Sequence, residues 1–456
     1  MKTNFRPCFS AVPGPFGRFW RYAFIAGAGA LTLLTTMGPA VADPSIINST
    51  YLGGSLYDLG YAVALQGDKT FIAGTTFSLD FPVVAVSSSK PEDEQTPDVF
   101  VTALGPSGTP FYSTYVAMGD NYESVLGIGV GPDGSAYVAA LAYHGDDTSA
   151  VVSKLEPTGE LAWTREEAGR FFAQGMTVDP QGNVYVTGRD TSAGVDAAFL
   201  WKLAPDGSTS YWAEIDGDGF EFGRDVAVDA KGNAYVVGLT GSTDLAEEKV
   251  PAGTNAFVTK LDPAGSILWS TYLGGSNEDW GERIAVAANG DLIVAGTTKS
   301  SDFPTLNAIQ TGLRGPKDLF LARLTPEGAP VFSTYLGGSF DEEVLDLALA
   351  GSSIFLVVVS PWRDSPLRQP LDPSCSDGVS FLAQLDAMTA QPLDAACLGG
   401  SIIYGVAAGS SGVALTGAAG PGLPLVDPWQ PAPAGGDDAF AAKLVLTTTK
   451  PITRRR

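Results

Sequence analysis

The sequence predicts an all-β fold, a seven-bladed β-propeller built from four-stranded antiparallel blades. Three observations predict it: a composition suited to many short strands and turns, a strand block repeated seven times, and an extra copy of the block's last strand at the beginning. Of 456 residues, 55 are Gly, 31 are Pro and 45% are hydrophobic. Such a chain is rich in turns yet apolar enough to fill a core, which excludes disorder. Collagen is excluded because no Gly recurs at every third position.

The repeated block is clearest in the middle of the chain. It has an apolar strand at residues 226–228, a second strand that ends in Gly238, and a third strand at residues 257–261. The second-strand Gly is replaced by Ala140 and Val358 in the second and sixth copies, so we expect these two blades to be degenerate. The third strand recurs at intervals of about 50 to 60 residues, at residues 100–104, 151–155, 199–203, 257–261, 320–324, 381–385 and 440–444.

A fourth strand follows the third, and its position indicates how the ring closes. Residues 270–276 and 333–339 both read Ser-Thr-Tyr-Leu-Gly-Gly-Ser, and the same sequence stands at residues 49–55, before the first block. Nothing like it follows Leu444. We therefore predict that the N-terminal strand pairs in the last blade and removes the exposed edges. An open stack of seven units is the alternative, but it would need polar terminal caps that the sequence does not show.

These motifs, with Asp302-Phe303-Pro304-Thr305 and the Gly-Asn-x-Tyr-Val strands, resemble the SBBP repeat, a β-propeller repeat of bacterial secreted and cell-surface proteins. The resemblance covers about residues 46–446. It implies a seven-bladed propeller, a secreted or cell-surface setting and no general enzymatic role.

The N-terminus is typical of a secretory signal peptide. Arg6, Arg18 and Arg21 precede an uncharged run at residues 22–36, which leads into Ala40-Val41-Ala42, a pattern that signal peptidase accepts. We predict a signal peptide at residues 1–42 with cleavage near Ala42, a propeller at residues 43–446 and a short basic disordered tail at residues 447–456. The apolar run is shorter than the roughly 20 residues of a membrane-spanning helix. The mature protein is therefore predicted to be secreted, to the periplasm, cell surface or medium, without a transmembrane segment.

Cysteine usage agrees with export. Cleavage removes Cys8 and leaves Cys375 and Cys397, an even pair in an oxidising compartment. We expect a disulfide between them, and two buried free thiols are the alternative.

Charge argues against nucleic acid as a partner. The chain has 27 Lys and Arg against 50 Asp and Glu, a net charge of −23, which repels phosphate backbones. Acids recur in the fourth-to-first connections, and a ring of these carboxylates would suit cations or a hydroxyl-rich ligand. The interpretation that we favour is that each acid caps its own turn. The recurring acids are Asp58, Glu123, Asp279 and Asp341.

One acidic stretch is a candidate calcium site. Asp216, Asp218 and Glu221 stand at nearly alternate positions around glycines, as oxygen ligands of Ca²⁺ often do. The remaining ligands of a twelve-residue calcium loop are missing, so a plain acidic turn is the favoured interpretation. No other cofactor is indicated.

Loop lengths predict which face binds a partner. The second-to-third loops are long and variable, for example residues 75–98 and 297–318, whereas the turns on the opposite face are short sequences of Gly, Asn, Asp and Pro.

His144 is the only His, and no Gly-x-Ser-x-Gly motif is present. We therefore predict a monomeric, non-catalytic binding or scaffold module whose long-loop face takes a protein or a polysaccharide. The alternatives are an extracellular glycan hydrolase that uses rim carboxylates and a purely structural surface protein.

Overall fold

The computed structural model describes residues 45–86, 96–116, 118, 123–144, 147–192, 194, 196–247, 253–360, 365–367 and 380–445. All of the strands in this part of the chain belong to seven four-stranded antiparallel sheets, the blades. The strands of blades 1 to 4 are β2 Asp58–Gln66, β3 Lys69–Thr76, β4 Asp98–Leu104 and β5 Pro110–Val116; β6 Glu123–Val130, β7 Ala136–His144, β8 Asp147–Leu155 and β9 Leu161–Gly169; β10 Phe171–Val178, β11 Val184–Asp190, β12 Ala197–Leu203 and β13 Thr209–Ile215; β14 Glu221–Val228, β15 Ala234–Thr240, β16 Asn255–Leu261 and β17 Ile267–Leu273. The strands of blades 5 to 7 are β18 Asp279–Val286, β19 Leu292–Thr298, β20 Asp318–Leu324 and β21 Pro330–Leu336; β22 Glu343–Ala350, β23 Ser353–Val359, β24 Ser380–Asp386 and β25 Pro392–Ala396; β26 Ser401–Gly409, β27 Gly412–Ala419, β28 Asp438–Val445 and β1 Ser45–Leu52.

The propeller prediction is confirmed, and so is the way in which the ring closes. Each blade's first strand is innermost, and it contacts the first strands of both neighbouring blades, including the contact of β2 with β26. Strand β1 pairs antiparallel with β28 as the outer strand of blade 7, with Tyr51 opposite Phe440. The N-terminal strand therefore joins the two ends of the ring. No helix in the described residues is long and apolar enough to cross a membrane.

The core lies between the blades. Seven apolar clusters occupy the seven interfaces between neighbouring blades, and the one between blades 4 and 5 packs Val237 and Val258 against Ile284 and Val294. A single sheet is apolar on both faces and gains stability only from such stacking. The recurring Gly of the second strand lies two residues before the strand ends, and not at its end as predicted. It has a packing reason, because a Cβ on Gly296 would lie 2.1 Å from the carbonyl oxygen of Trp280.

Every inner strand carries a β-bulge in its pairing with the second strand. A bulge leaves one residue unpaired and re-aims its side chain, and bulges often lie beside functional sites. Here they surround the central channel. The unpaired residues are Tyr61, Leu126, Gln174, Arg224, Glu282, Leu345 and Tyr404.

Candidate functional site

Two of the predicted rim acids, Asp58 and Asp279, are the first residues of inner strands, and both are fully buried. Asp279 Oδ2 accepts a hydrogen bond from the backbone N–H of Gly275 at 2.7 Å and another from the Ser300 hydroxyl at 2.8 Å. Asp58 has equivalent partners in its own blade, a glycine N–H four residues earlier and a serine hydroxyl after the second strand. These acids therefore join the fourth-to-first connection to the second-to-third loop, the capping role that we favoured.

Burial also governs the acidity of these carboxyl groups. Loss of hydration raises the pKa of Asp58 to about 6, although hydrogen bonds from Thr76, Gly54 and Ser78 stabilise the ionised form and oppose the rise. Burial raises the pKa of Asp279 for the same reason. Because both side chains point into the protein, they do not form an open carboxylate ring at the rim.

In blade 6 the structure corrects the prediction by one residue. Asp341 is exposed, and Glu342 occupies the buried position instead. Glu342 Oε1 accepts the N–H of Gly338 at 2.9 Å and the Ser360 hydroxyl at 3.3 Å. Three consecutive acids, at residues 341–343, lead into this strand, so the sequence does not indicate which one turns inward. Glu123 is the first residue of β6, but its side chain lies outside the described part of the chain.

The acidic residues of the stretch at 216–221 have separate hydrogen-bond partners. Asp216 and Asp218 are exposed, whereas Glu221 is fully buried and accepts a hydrogen bond from the Thr240 hydroxyl at 2.7 Å. Asp218 accepts hydrogen bonds from the N–H and the hydroxyl of Thr243, at 2.7 and 2.9 Å. Within the described residues, no three Asp, Glu, His or Cys side chains are grouped as metal ligands. Acids around glycine look alike in sequence whether they converge on an ion or cap separate loops.

In blades 5 and 7 the long loop folds back along the outer strand of its own blade. We call this segment the strap: residues 304–310 in blade 5 and 424–430 in blade 7. Leu306 and Ser333 exchange two backbone hydrogen bonds, of 2.9 and 2.8 Å, and Ser49 donates its N–H to the Val426 carbonyl at 2.9 Å. Blade 1 has the same contact between Val84 and a serine of β5. In these blades the long loop is thus partly built into the wall of the propeller, which the sequence analysis did not foresee.

A glutamine and an aspartate hold the end of each strap. Gln310 donates its side-chain amide to Asp318 at 2.8 Å and accepts the N–H of Gly337 at 3.1 Å. Gln430 donates to Asp438 at 2.9 Å in the same way. Both aspartates are fully buried first residues of a third strand. The strap is therefore a fixed element and not an adaptable loop.

Charged side chains that the sequence analysis did not single out lie at the level of the bulges. Asp225 follows the bulge of blade 4, and its Oδ2 accepts the N–H of Ile284 in blade 5 at 3.0 Å. Asp346 follows the bulge of blade 6, and its Oδ2 accepts the N–H of Val406 in blade 7 at 2.7 Å. Arg283, in blade 5, has its Nε 3.9 Å from Asp346 Oδ1. Together these groups join blades 4 to 7 along the channel wall.

A cavity of about 300 Å³ lies beside this charged row, toward the face with the short turns, and Asp225 and Asp346 both line it. Burial raises the pKa of Asp225 to about 6, and the Arg283 guanidinium acts in the opposite direction. The second oxygens of the two acids accept the N–H groups of Val226 and Leu347, both at 2.8 Å. All four carboxylate oxygens thus accept backbone N–H groups, which suits a structural connection better than proton transfer.

The other mouth of the channel, on the long-loop face, carries five half-exposed side chains that we call the mouth cluster: Phe172, Arg189, Phe222, Arg224 and Trp280. Arg189 Cζ lies 4.4 Å from the ring centroid of Phe222 and 5.7 Å from that of Phe172. Arg224 Cζ lies 5.9 Å from the ring centroid of Trp280. All three contacts are within the range of cation–π attraction. Blades 3, 4 and 5 thus each contribute aromatic rings or guanidinium groups to this mouth.

The mouth cluster has a sequence signal that only an alignment of the repeats reveals. Phe172, Phe222 and Trp280 are each the second residue of an inner strand, two residues before the bulge. Loop lengths and recurring acids, on which the sequence predictions depend, do not reveal an aromatic residue that recurs inside the innermost strand.

Three further predicted features, the disulfide, the signal peptide and the disordered tail, stay predictions. Cys397 is disulfide-bonded, but Cys375 lies outside the described residues, so the pairing of the two stays a prediction. Residues 1–42 and 447–456 also lie outside the described part, and the signal peptide and disordered tail stay predictions. His144 Nε2 lies 2.9 Å from Glu166 Oε1 on the neighbouring outer strand.

Comparisons with known proteins show the fold and little more. No family model matches the chain, so membership of the SBBP repeat family stays a prediction. A segment of 107 residues, 23% of the chain, is 30% identical to the regulatory protein FlaEY of Caulobacter vibrioides, and it spans only 11% of that protein. The chain is similar to the WD40 repeats of RRP9, with a TM-score of 0.52, 11% identity, and coverage of 89% of this chain and 100% of that one. It is also similar to the structure of U3-55K, with a TM-score of 0.52, 12% identity, and coverage of 88% of this chain and 100% of that one.

Proposed function

We propose that this protein is an exported, non-catalytic binding module that holds a protein partner against the channel mouth on its long-loop face. The mouth cluster is the observation that carries the proposal. Trp and Arg are among the residue types whose truncation costs most at protein interfaces, and aromatic residues are enriched there. On a chain with a net charge of −23, this group of arginines and rings is chemically distinct from the acidic surface as a whole.

The cluster is also held in place before any partner arrives. Arg189 Nη2 lies 2.6 Å from Asp196 Oδ1, and Arg224 donates to Gln174 Oε1 at 3.3 Å. Phe222 also packs against Phe220, with 5.2 Å between ring centroids and the rings tilted by 40°. Side chains that are already ordered lose little conformational entropy on binding, which favours affinity. A rigid scaffold with a preformed aromatic surface supports recognition.

The test compares the wild type with the double variant Phe222→Ala/Trp280→Ala. Both proteins, immobilised in mature form, would be exposed to an envelope extract of the source organism, with soluble polysaccharides tested separately by the shift of the thermal midpoint. We expect a protein that the wild type retains at least about tenfold better than the variant, since two aromatic anchors commonly contribute more than 1.4 kcal/mol. Identical retention by both proteins would contradict the proposal, and a polysaccharide-dependent shift would identify a glycan ligand instead. Leu161→Ala, on β9, the outer strand of blade 2, is the control for surface hydrophobicity, since Leu161 is 48% exposed and lies in neither proposed binding surface.

Export is tested separately. Full-length chain expressed in a Gram-negative host should be recovered from the periplasm or medium, with a mature N-terminus at Asp43. Retention of Met1 in the cytoplasm would contradict this part of the proposal and leave the binding surface unaffected.

A further inference from the structure

The outer edge of blade 4 has the same sequence as the strapped edges of blades 5 and 7, but no strap lies along it in the described residues. Residues 270–276, 333–339 and 49–55 are identical, Ser-Thr-Tyr-Leu-Gly-Gly-Ser. A strap lies along β21 and along β1. No backbone hydrogen bond from the described residues reaches the outer edge of β17.

In the strapped blades, the Ser-Thr pair is the group that receives the strap. The N–H of Ser333 donates to Leu306 at 2.8 Å. The hydroxyl oxygen of Thr334 accepts the N–H groups of Ile309 and Gln310, at 3.1 and 3.0 Å. In blade 7, Thr50 accepts the N–H of the corresponding glutamine at 2.8 Å. The same two residue types thus hold both straps by the same bonds.

In blade 4 the receiving groups are uncovered. Thr334 is 0% exposed under its strap, whereas Thr271, its equivalent on β17, is half-exposed. Ile267 and Leu268, at the start of the same strand, are 46% and 53% exposed. The loop of blade 4 is anchored at its beginning as in blade 5, because Leu245 donates its N–H to the Tyr272 hydroxyl at 2.9 Å.

Blades 2 and 3, whose loops are also short, do not have the Ser-Thr pair. The corresponding positions hold Thr164-Arg165 on β9 and Trp212-Ala213 on β13. The pair therefore accompanies a strap in blades 5 and 7 and is replaced in blades 2 and 3. Blade 4 departs from this rule, since it keeps the receiving groups without a strap in the described residues.

We propose that the outer edge of blade 4 is a docking site for an extended segment of a partner protein, which takes the place that a strap has in blades 5 and 7. The segment would add to β17 as a short antiparallel strand, as the straps do on β21 and β1. This site lies on the outer wall of the propeller and is independent of the mouth cluster.

The straps define the chemistry of the segment. Residues 304–310 read Pro-Thr-Leu-Asn-Ala-Ile-Gln and residues 424–430 read Pro-Leu-Val-Asp-Pro-Trp-Gln. Both have an aliphatic residue two places after Pro, a bulky apolar residue, and a final Gln. Directly after the aliphatic residue, Asn307 and Asp427 adopt left-handed backbone conformations, with φ of 50° and 46°. Asn and Asp tolerate this conformation better than most other side chains. The expected ligand is Pro-x-[Leu/Val]-[Asn/Asp]-x-[Ile/Trp]-Gln.

The probe is an acetylated, fluorescently labelled peptide of residues 304–312, titrated into the mature protein and followed by anisotropy. The strap of blade 5 is tethered at a high effective concentration, so the peptide does not compete for that edge. Ser270→Pro removes the outward N–H, a change that an edge strand tolerates, and Thr271→Val removes the receiving hydroxyl. Thr164→Pro makes the same backbone change on β9 and is the matched control.

We expect one-to-one binding that Ser270→Pro abolishes, that Thr271→Val weakens about tenfold and that Thr164→Pro leaves unchanged. Amide hydrogen exchange of residues 267–273 should slow on binding. Failure of the wild type to bind, or equal binding by Ser270→Pro and Thr164→Pro, would overturn the proposal. Self-association of the wild type that Ser270→Pro abolishes would also overturn it and assign this edge to a second copy of the chain.

Discussion

Blades 4 and 5 are neighbours with nearly the same outer strand, yet the described residues cover the outer edge of blade 5 with a strap and leave that of blade 4 partly exposed. Both begin with a buried acid, Glu221 or Asp279, and both end in Trp-Ser-Thr-Tyr-Leu or Phe-Ser-Thr-Tyr-Leu. They differ in the second-to-third connection, which has room for a strap in blade 5 and is shorter in blade 4. The comparison teaches that the sequence of a strand does not decide whether its edge is exposed, because the covering residues come from elsewhere in the blade.

The strap also contributes to the core of blade 5. Phe303, just before it, is 3% exposed, stacks on Phe320 with 4.7 Å between ring centroids and meets Tyr335 at 5.7 Å. Leu245 holds this place in blade 4 and is only half-buried. We therefore expect the two loops to contribute unequally to stability.

The largest effect that we predict is for removal of these anchors. Phe303→Ala should lower the free energy of unfolding by about 3–5 kcal/mol, the usual range for a buried Phe, whereas Leu245→Ala should lower it by about 1–2 kcal/mol. Denaturant titration of both variants, followed by circular dichroism and tryptophan fluorescence, measures the difference. Equal losses would show that the two loops are equally anchored and would remove the contrast between the blades.

A smaller effect concerns the inner ends of the blades, where blades 4 and 5 should behave alike. Burial raises the pKa of Glu221 and of Asp279, and it raises the pKa of Asp58 and of Asp225 to about 6. A carboxyl group with a raised pKa stabilises the fold when protonated, and this stability is lost as the pH rises through the folded-state pKa. The free energy of unfolding should therefore be higher at pH 5 than at pH 7.5.

The matched variants for this prediction are Glu221→Gln and Asp279→Asn. Each removes one titrating group, so each should reduce the dependence of stability on pH, and by similar amounts because the two blades bury their acids alike. Urea unfolding at a series of pH values from 4 to 8 gives the slopes. An unchanged slope in either variant would mean that its acid does not contribute to the pH dependence.

The smallest effect is expected on the open edge itself. Leu268 is 53% exposed, so Leu268→Lys should change the free energy of unfolding by no more than about 0.5 kcal/mol while improving solubility, since a charge on an edge strand discourages edge-to-edge association. Thermal unfolding and light scattering measure both properties. A loss of several kcal/mol would mean that this edge is covered after all, and it would weaken the proposed docking site.

Much of the fold could be predicted because it depends on local and periodic features. The recurring third strand and the recurring Gly, whose Cβ would collide with a neighbouring carbonyl, predict seven blades. The copy of the fourth-strand sequence at residues 49–55 predicts the pairing of β1 with β28. The acids were recognised as recurring, but the direction of their side chains was not, so Glu342 was missed in favour of Asp341. The mouth cluster was missed because its members come from three blades, although each is an ordinary inner-strand residue.

By itself, the sequence determined the number of blades, the closure of the ring and the positions of the turns, because each repeat carries its own strand periodicity and its own turn-forming residues. Only the tertiary structure decided which groups meet: Asp225 with the N–H of Ile284 in the next blade, Arg189 between two phenylalanine rings, and a strap on β21 but none on β17 in the described residues. The physical reason is that these contacts join residues far apart in the chain. Their geometry depends on how bulges, loop lengths and neighbouring blades are placed around one axis, which no single repeat encodes.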